Sequence, residues 1–308
     1  MSAANNALAL SVNGLNKSYG SFAVLKDLNL SIQQGSILGL VGLNGSGKTT
    51  TIECLLGLQQ FNSGAISLLN YSPQTLHQAR GKIVGIFDTP SLHPNLSVRQ
   101  SLEHALLLSE NTVRTPERVE QLLGIEKFSN FKVRHLSLGN KRRASLAQAL
   151  LSNPDLIILD EPFNGLDAGG VDDVLALIKR LNKEEGTTFL LSSHQLPYLE
   201  NICSHIAILH DGAIAVSNTI ENLLAATRHS LLLSTEARES ALTYLKQRSD
   251  VAISNEDLNG YIQLETAELE SADLNSQLVA NNIPVSELIV QKASLGNLFR
   301  SITSEEQA

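Results

Sequence analysis

The sequence predicts an α/β fold built on a parallel sheet, and two features support that prediction. Short apolar runs without polar alternation are typical of strands that helices cover on both faces. Stretches with helical periodicity lie between these runs, as the crossovers of a parallel sheet require. The apolar runs are Ser36–Val41, Asp155–Asp160, Thr187–Ser192 and His205–His210.

Two further regions depart from this alternation. Residues 89–150 carry helical patterns without a strand pattern, which predicts a helical insertion. The C-terminal patterns follow the order β-α-β-β-α-β, which is the ferredoxin-like order. A final apolar stripe from Leu295 predicts an amphipathic helix that Ser294 can cap. We therefore expect a large domain over 1–222 and a small α+β domain over 223–308.

The composition narrows the class of protein. The 308 residues are 43% hydrophobic, which suffices for a core, and 23 basic against 31 acidic residues disfavour general nucleic-acid binding. The 2 cysteines form no C-x-x-C pattern, which indicates a reducing compartment and no zinc site. No signal-peptide pattern and no apolar run near the roughly 18 residues of a membrane span are present. We therefore expect a soluble, cytoplasmic protein that can lie against a membrane protein.

A glycine-rich segment follows the first apolar run and precedes a helical pattern. It reads GLVGLNGSGKTT and fits the P-loop spacing Gly42-x-x-x-x-Gly47-Lys48-Thr49 in the required strand-loop-helix context, which predicts a P-loop NTPase core. Its glycines let backbone N–H groups converge on phosphates, and the helix N-terminus adds its positive dipole end. Lys48 would lie between the β- and γ-phosphates, and Thr49 would give its hydroxyl to Mg²⁺. The expected nucleotide-binding residues here are Gly42, Asn44, Gly45, Ser46, Gly47, Lys48, Thr49 and Thr50.

An acidic pair, Asp160 and Glu161, ends the apolar run LIILDEP. A carboxylate at the C-terminal edge of a strand is well placed to hold the hydration shell of Mg²⁺, a role that fits Asp160. Glu161 can polarise the attacking water as a general base. The alternative is an N-cap pair for the next turn, but two acids that end an apolar strand near a P-loop need compensating charge.

The order of these motifs resembles the ATPase subunit of an ABC transporter. The P-loop is followed by LSLGN at 136–140, by IILDEP, by NGLD at 164–167 and by LLSSH ending at His194, and the resemblance extends from Ala7 to about Val216. Members of that family work as head-to-tail dimers, with each ATP between one subunit's P-loop and the other's signature motif. The resemblance therefore implies ATP and Mg²⁺ as cofactors. It also implies two partners, a second ATPase subunit in a homodimer and an integral-membrane permease.

The resemblance also assigns roles to single residues. Tyr19 corresponds to the aromatic residue that stacks on adenine, with an ordinary turn tyrosine as the alternative. Asp167 lies in the loop that touches the second subunit. His194 corresponds to the switch histidine that contacts the γ-phosphate and helps to orient water. Ser137 and Gly139 belong to the signature motif, whose capped helix N-terminus would bind the γ-phosphate of the other subunit's ATP.

Two positions depart from the general family pattern. The loop that usually offers a glutamine carries Asp88, which can accept from water or approach Mg²⁺ but cannot donate to a phosphate oxygen. The signature reads LSLGN rather than LSGGQ, with Leu138 and Asn140 at the changed positions. The Asp88 loop and the SLG sequence resemble the branch that exports bacitracin, lantibiotics and drugs, whereas Asn140 is unusual there. The expected metal-binding residues are Thr49, Asp160 and Asp88.

The leading hypothesis is ATP-driven export of a peptide, antibiotic, drug or lipid through a separate permease at the inner face of the cell membrane. Its catalytic residues would be Glu161, His194 and Lys48. One alternative is a soluble ABC ATPase that acts on ribosomes or nucleic acid, which the single ATPase module and the acidic balance disfavour. Another is a regulatory subunit that binds ATP without hydrolysis. The cations at 141–143 are either a solvated basic face or contacts to phosphate or a partner.

Overall fold

The structure, a computed structural model, describes residues 7–89, 91–109, 111–226, 229–266, 271–291 and 294–304. The chain divides into two compact units, Met1–Ile220 and Glu221–Ala308. Each unit has a hydrophobic core of its own. None of the helices in the described ranges combines the length and the apolar character that a membrane crossing needs.

The first unit contains two sheets. Its strands are β1 (Leu8–Tyr19), β2 (Phe22–Gln33), β3 (Ile37–Val41), β4 (Ser63–Leu68), β5 (Ile83–Ile86), β6 (Leu156–Asp160), β7 (Thr188–Ser193), β8 (His205–His210) and β9 (Ala213–Thr219). A 6-stranded sheet has the order β5-β6-β7-β3-β8-β9, and a 3-stranded sheet has the order β2-β1-β4. Neighbouring strands in the run β5-β6-β7-β3-β8 are parallel to each other. The α/β prediction is therefore confirmed.

Helices flank the larger sheet and form the insertion. They are α1 (Lys48–Leu55), α2 (Val98–Leu108), α3 (Pro116–Leu123), α4 (Leu138–Ala149), α5 (Ala168–Glu185) and α6 (Leu196–Glu200), whereas α7 (Ile220–Ala226) begins at the boundary between the two units. Strands β3, β6 and β7 are buried at every residue, because the sheet is covered on both faces. The insertion contains α2, α3 and α4, and it contains no strand in its described residues, as the helical patterns predict.

The sequence patterns do not indicate the 3-stranded sheet. Strands β1 and β2 pair antiparallel over most of their length, but their register shifts several times between Leu8 and Ser18. Each shift interrupts the alternation of inward and outward side chains from which a half-exposed strand is recognised. The sequence patterns also do not indicate the antiparallel edge strand β9, because much of it is only half-buried.

The second unit has the predicted ferredoxin-like order. Its elements are β10 (His229–Ser234), α8 (Arg238–Lys246), β11 (Val251–Leu258), β12 (Tyr261–Thr266), α9 (Ser271–Ala280), β13 (Glu287–Gln291) and α10 (Leu295–Ser304). The 4 strands are antiparallel in the order β11-β12-β10-β13. Apolar residues of α8 and α9 share one core with the sheet. The hydroxyl of Ser294 accepts the Asn297 N–H at 3.2 Å, so the predicted cap of α10 is present.

Candidate functional site

The loop from Gly42 to Gly47 joins the end of β3 to the start of α1. A Cβ atom at Gly42 would lie 2.7 Å from the carbonyl oxygen of Leu209, and one at Gly47 would lie 2.8 Å from Leu25 Cδ2. Gly47 also has a φ of +106°, which only glycine adopts readily. Neither position leaves room for a side chain on this backbone, so both must be glycine. Asn44, Gly45 and Thr50 lie on the same loop and the first turn of α1.

Lys48 is the first residue of α1, and its side chain folds back against this loop. Its ammonium donates to the carbonyl oxygens of Gly42 at 2.8 Å and Leu43 at 3.2 Å. It also lies 3.4 Å from Glu161 Oε1, and the two side chains are only 5% and 11% exposed. A buried cation held by neutral carbonyls and one carboxylate is suited to meet an anionic group that enters the loop.

The loop has the properties of a phosphate cradle. No side chain caps the N-terminus of α1, so its first backbone N–H groups are available to an anion. Among the described residues, the Ser46 hydroxyl is buried without a hydrogen-bond partner. A ligand with several acceptor oxygens fits these donors.

Asp160 joins β6 to the P-loop. Its Oδ2 atom accepts from the Thr49 hydroxyl at 2.9 Å, and its Oδ1 atom accepts from the Ser192 hydroxyl. The carboxylate is buried, and two hydroxyl donors offset its desolvation. Ser192 lies next to Asp160 in the parallel β6–β7 ladder, and the sequence alone does not point to it. The signal in the sequence is the position of Ser192 directly after the apolar residues FLL of its strand.

Glu161 and His194 meet at the carboxyl ends of β6 and β7. His194 Nδ1 lies 3.0 Å from Glu161 Oε2 and 3.1 Å from Oε1. His194 is partly exposed, whereas Glu161 is buried. The backbone of Glu161 has a φ of +48° in the left-handed region, which is strained for a residue with a side chain. The structure thus brings Lys48, Glu161 and His194, which the sequence placed in one catalytic set, into one cluster.

The signature residues lie at the start of α4. Ser137 is the N-cap, and its hydroxyl accepts the Asn140 N–H at 3.3 Å. Leu138 packs against the loop after Glu161, because a Cβ atom at Gly165 would overlap Leu138 Cδ2. A Cβ atom at Gly139 would likewise lie 3.2 Å from Leu166 Cδ2. Leu138 therefore fills a space beside Gly165, while nothing in the structure explains Asn140.

The signature motif and the P-loop are not bonded to each other in the part of the chain that the structure describes. Among the described residues, no hydrogen bond or ion pair joins Ser137 or Gly139 to the loop that carries Lys48. Asp167 is the N-cap of α5 and accepts the Gly170 N–H at 2.9 Å. The roles expected for these residues across a dimer stay predictions.

Asp88 lies on the exposed loop after β5 and pairs with the buried side chain of Arg142. Asp88 Oδ1 is 2.5 Å from Arg142 Nη2, and the two side chains are 50% and 8% exposed. The neighbouring Arg143 pairs with Asp173. Neither interpretation offered for the cations at 141–143 describes Arg142, because it is buried within its own chain.

Tyr19 ends β1, and 47% of its surface is exposed. The Lys17 ammonium lies over this ring, 4.4 Å from the centroid, and donates to the Gln60 carbonyl oxygen at 2.7 Å. One face of the ring is therefore occupied by a cation, and the position allows stacking on the remaining surface. Stacking on adenine stays a prediction.

The residues at the expected metal site can be compared with the ligands that Mg²⁺ prefers. Among the described residues, no group of three or more His, Cys, Asp and Glu side chains is arranged to hold a metal ion. Mg²⁺ at nucleotide sites usually keeps water ligands and takes one or two carboxylates with the substrate's phosphates. The adjoining Thr49 hydroxyl and Asp160 carboxylate fit that requirement. Asp88 is engaged by Arg142 in this structure, and its role toward metal stays a prediction.

These features define a P-loop site for a nucleotide on an α/β fold. The family model described as ABC transporter matches residues 25–164. YdbJ of Bacillus subtilis (strain 168), an uncharacterized ABC transporter ATP-binding protein, is 33% identical over 301 residues, which cover 97% of this chain and 96% of YdbJ. BcrA of Bacillus licheniformis, a bacitracin transport ATP-binding protein, is 32% identical over 288 residues, which cover 92% and 94%.

Solved structures agree with these relatives. The cbiO1 protein from Clostridium perfringens, part of the ABC transporter complex cbiONQ, matches with a TM-score of 0.63 and 27% identity. The match covers 71% of this chain and 91% of cbiO1. The chain belongs to the ABC transporter family, as an ATP-binding protein. The expected family and the P-loop NTPase core are confirmed.

Proposed function

We propose that this chain hydrolyses ATP and that the hydrolysis drives export through a separate membrane permease. The observation that carries the proposal is the cluster of Lys48, Glu161 and His194 beside the P-loop. Similarity to a bacitracin transport ATP-binding protein favours a peptide antibiotic or a related amphipathic molecule as cargo. A catalytic carboxylate in contact with both a cation and a histidine favours hydrolysis over binding alone.

Each side chain of the site has its own role in the proposed hydrolysis. The Glu161 carboxylate accepts a proton from the attacking water, and His194 holds that carboxylate and orients the water. Lys48 leaves its carbonyl partners to bind the terminal phosphates, and the P-loop N–H groups hold the remaining oxygens. Thr49 and Asp160 would hold Mg²⁺, which supplies positive charge to the phosphates when it is bound. Water adds to the γ-phosphorus as the bond to ADP breaks.

The proposed active unit is a head-to-tail homodimer. Ser137 and Leu138 are exposed at the capped N-terminus of α4, and a helix N-terminus that is open to solvent suits an anion supplied by a second copy. Because Ser137 makes no bond to its own P-loop in the described structure, the site is complete only when a second chain contributes this motif. Turnover should therefore depend on protein concentration in the range of dimer dissociation.

The permease would contact the surface between the sheet and the helical insertion, at the inner face of the membrane. A groove of about 670 Å³ and a second groove of about 300 Å³ share the lining residues Gly81, Leu108, Ser109 and Ser152. Leu107 and Leu108 are exposed at the end of α2. Exposed apolar side chains beside a groove favour a protein partner there. The division into 1–222 and 223–308 stays part of this proposal.

The test is the ATPase rate of the purified chain with Mg²⁺. Glu161→Gln keeps the size of the side chain and removes the base, so we expect ATP binding to persist while kcat falls by about 10²- to 10⁴-fold. The variant should also accumulate as a dimer with ATP. Glu117→Gln is the matched control, since Glu117 pairs with Arg99 at the surface. A Glu161→Gln variant with the wild-type rate would refute the assignment of the base.

The cargo is tested separately. Cells that express the chain with its permease should tolerate a higher concentration of bacitracin-type peptide, and cells with Glu161→Gln should not. Equal sensitivity of both cell lines, with active ATPase in vitro, would contradict the cargo and leave the hydrolytic assignment in place.

A further inference from the structure

Arg142 connects three separate segments of the first unit. It lies in α4, five residues after the cap Ser137, and its side chain is 8% exposed. Nη2 pairs with Asp88 Oδ1 at 2.5 Å, and Nη1 donates to the backbone carbonyl oxygen of Glu161 at 2.6 Å. One guanidinium therefore links the helical insertion, the loop after β5 and the residue that carries the proposed base.

The backbone of Glu161 needs such support. Its φ of +48° lies in the left-handed region, which is strained for a residue with a side chain. On one side, its N–H donates to the carbonyl oxygen of Ser192 at 3.1 Å. On the other side, its carbonyl oxygen accepts from Arg142 and from the Asn164 N–H, the latter at 3.2 Å. The bond from Arg142 is charge-assisted and buried, so it is the strongest constraint on that side.

We infer that Arg142 is a positioning residue for hydrolysis, which acts by fixing the peptide of Glu161 and tying it to the Asp88 loop. This inference rests on the proposed function. Its planar fork reaches two acceptors in different segments at once, which a lysine ammonium in the same place does not do with fixed geometry. A displacement of α4 or of the Asp88 loop therefore moves the carboxylate that lies against Lys48 and His194.

The kinetic test compares Arg142→Gln with Arg143→Gln in the full chain. Arg143 is the matched control, because it belongs to the same helix and its ion pair with Asp173 is more exposed. We expect Arg142→Gln to lower kcat by about 10- to 100-fold, since a misplacement of about 1 Å can cost that much. The KM for ATP should stay within about twofold, because the P-loop is untouched. Arg143→Gln should keep both values within about twofold.

A second readout does not depend on activity. Hydrogen exchange of the segment 161–166 reports the Asn164 N–H, which is bonded to the Glu161 carbonyl oxygen. We expect faster exchange of this segment in Arg142→Gln and unchanged exchange in Arg143→Gln. If Arg142→Gln does not fold, Arg142→Lys serves instead, since it keeps a cation beside Asp88 and should show the same faster exchange.

Several results would overturn the inference. They are wild-type kcat and wild-type exchange in a folded Arg142 variant, an equal loss in Arg142→Gln and Arg143→Gln, or a rise in KM with unchanged kcat. The proposed function fails differently, through a wild-type chain without ATPase activity or a Glu161→Gln variant with full activity. An inactive Glu161→Gln beside a fully active Arg142→Gln would reject the role of Arg142 alone.

Discussion

Replacing Lys48 by methionine should destabilise the chain even without nucleotide, because it leaves the Glu161 carboxylate buried without its cation. The two groups lie 3.4 Å apart with side-chain exposures of 5% and 11%. Removing one member of a buried ion pair costs about 3–5 kcal/mol. His194 still reaches the carboxylate at 3.0 Å, so we expect a loss of about 3 kcal/mol, at the low end of that range.

The double variant Lys48→Met/Glu161→Gln isolates the pair. It removes both charges, so we expect most of the lost stability to return. Glu161→Gln alone should cost only about 1–2 kcal/mol, since Lys48 keeps the carbonyl oxygens of Gly42 and Leu43 as acceptors. For a domain of this size, about 1 kcal/mol shifts Tm by roughly 2–4 °C, which predicts a Tm for Lys48→Met lowered by about 6–12 °C.

Thermal unfolding followed by circular dichroism measures these differences, and a fluorescent ATP analogue measures binding. Both variants without Lys48 should bind the analogue about 10- to 100-fold more weakly, because each loses a charge-assisted contact worth about 1.5–3 kcal/mol. The two measurements should then give different results for the double variant, because its stability recovers while its affinity for the analogue stays low. A double variant as unstable as Lys48→Met would refute the buried pair, and unchanged affinity would refute the phosphate cradle.

Two further substitutions test the edges of the site. Tyr19→Ala should weaken binding of the ATP analogue by about tenfold, within the 1–3 kcal/mol range of aromatic–base stacking. Tyr19→Phe keeps the aromatic ring and should bind the analogue as the wild type does. Wild-type affinity in both variants would identify Tyr19 as an ordinary turn tyrosine. Gly165→Ala should lower the stability by about 1–2 kcal/mol in thermal unfolding, because its φ is +67° and the new methyl group meets Leu138. Leu138→Ala should restore part of that loss, and no recovery would contradict the Leu138–Gly165 contact.

Local sequence patterns were sufficient for four strands of the parallel sheet and for the P-loop, but they did not indicate the remaining parallel strand, β5. The P-loop is one contiguous segment, and its glycines, Lys48 and Thr49 act through spacing that the chain itself fixes. Strands β3, β6 and β7 are buried along their whole length because both faces of the sheet are covered, so their mostly apolar pattern does not depend on register. The order of elements in the second unit follows from alternating strand and helix patterns of ordinary length.

The partners of Leu138 and Asp88, two positions that depart from the general family pattern, are visible only in the tertiary structure. Leu138 is a changed signature residue in the sequence, and the structure places it against Gly165. Asp88 had open roles toward water or metal, and the structure pairs it with Arg142. Both contacts join segments that lie far apart along the chain, and no periodicity records such a pairing.

By itself, the sequence predicted which side chains could meet a phosphate, because Lys48 and Thr49 follow the glycine-rich loop after one apolar strand, and Asp160 and Glu161 come at the end of another. Only the tertiary structure decided how Glu161 is held. Its support comes from Ser192 on β7 and Arg142 on α4, which approach it through folding rather than through spacing. A buried carboxylate and a buried guanidinium each need partners, and distant segments supply them only once the core has formed.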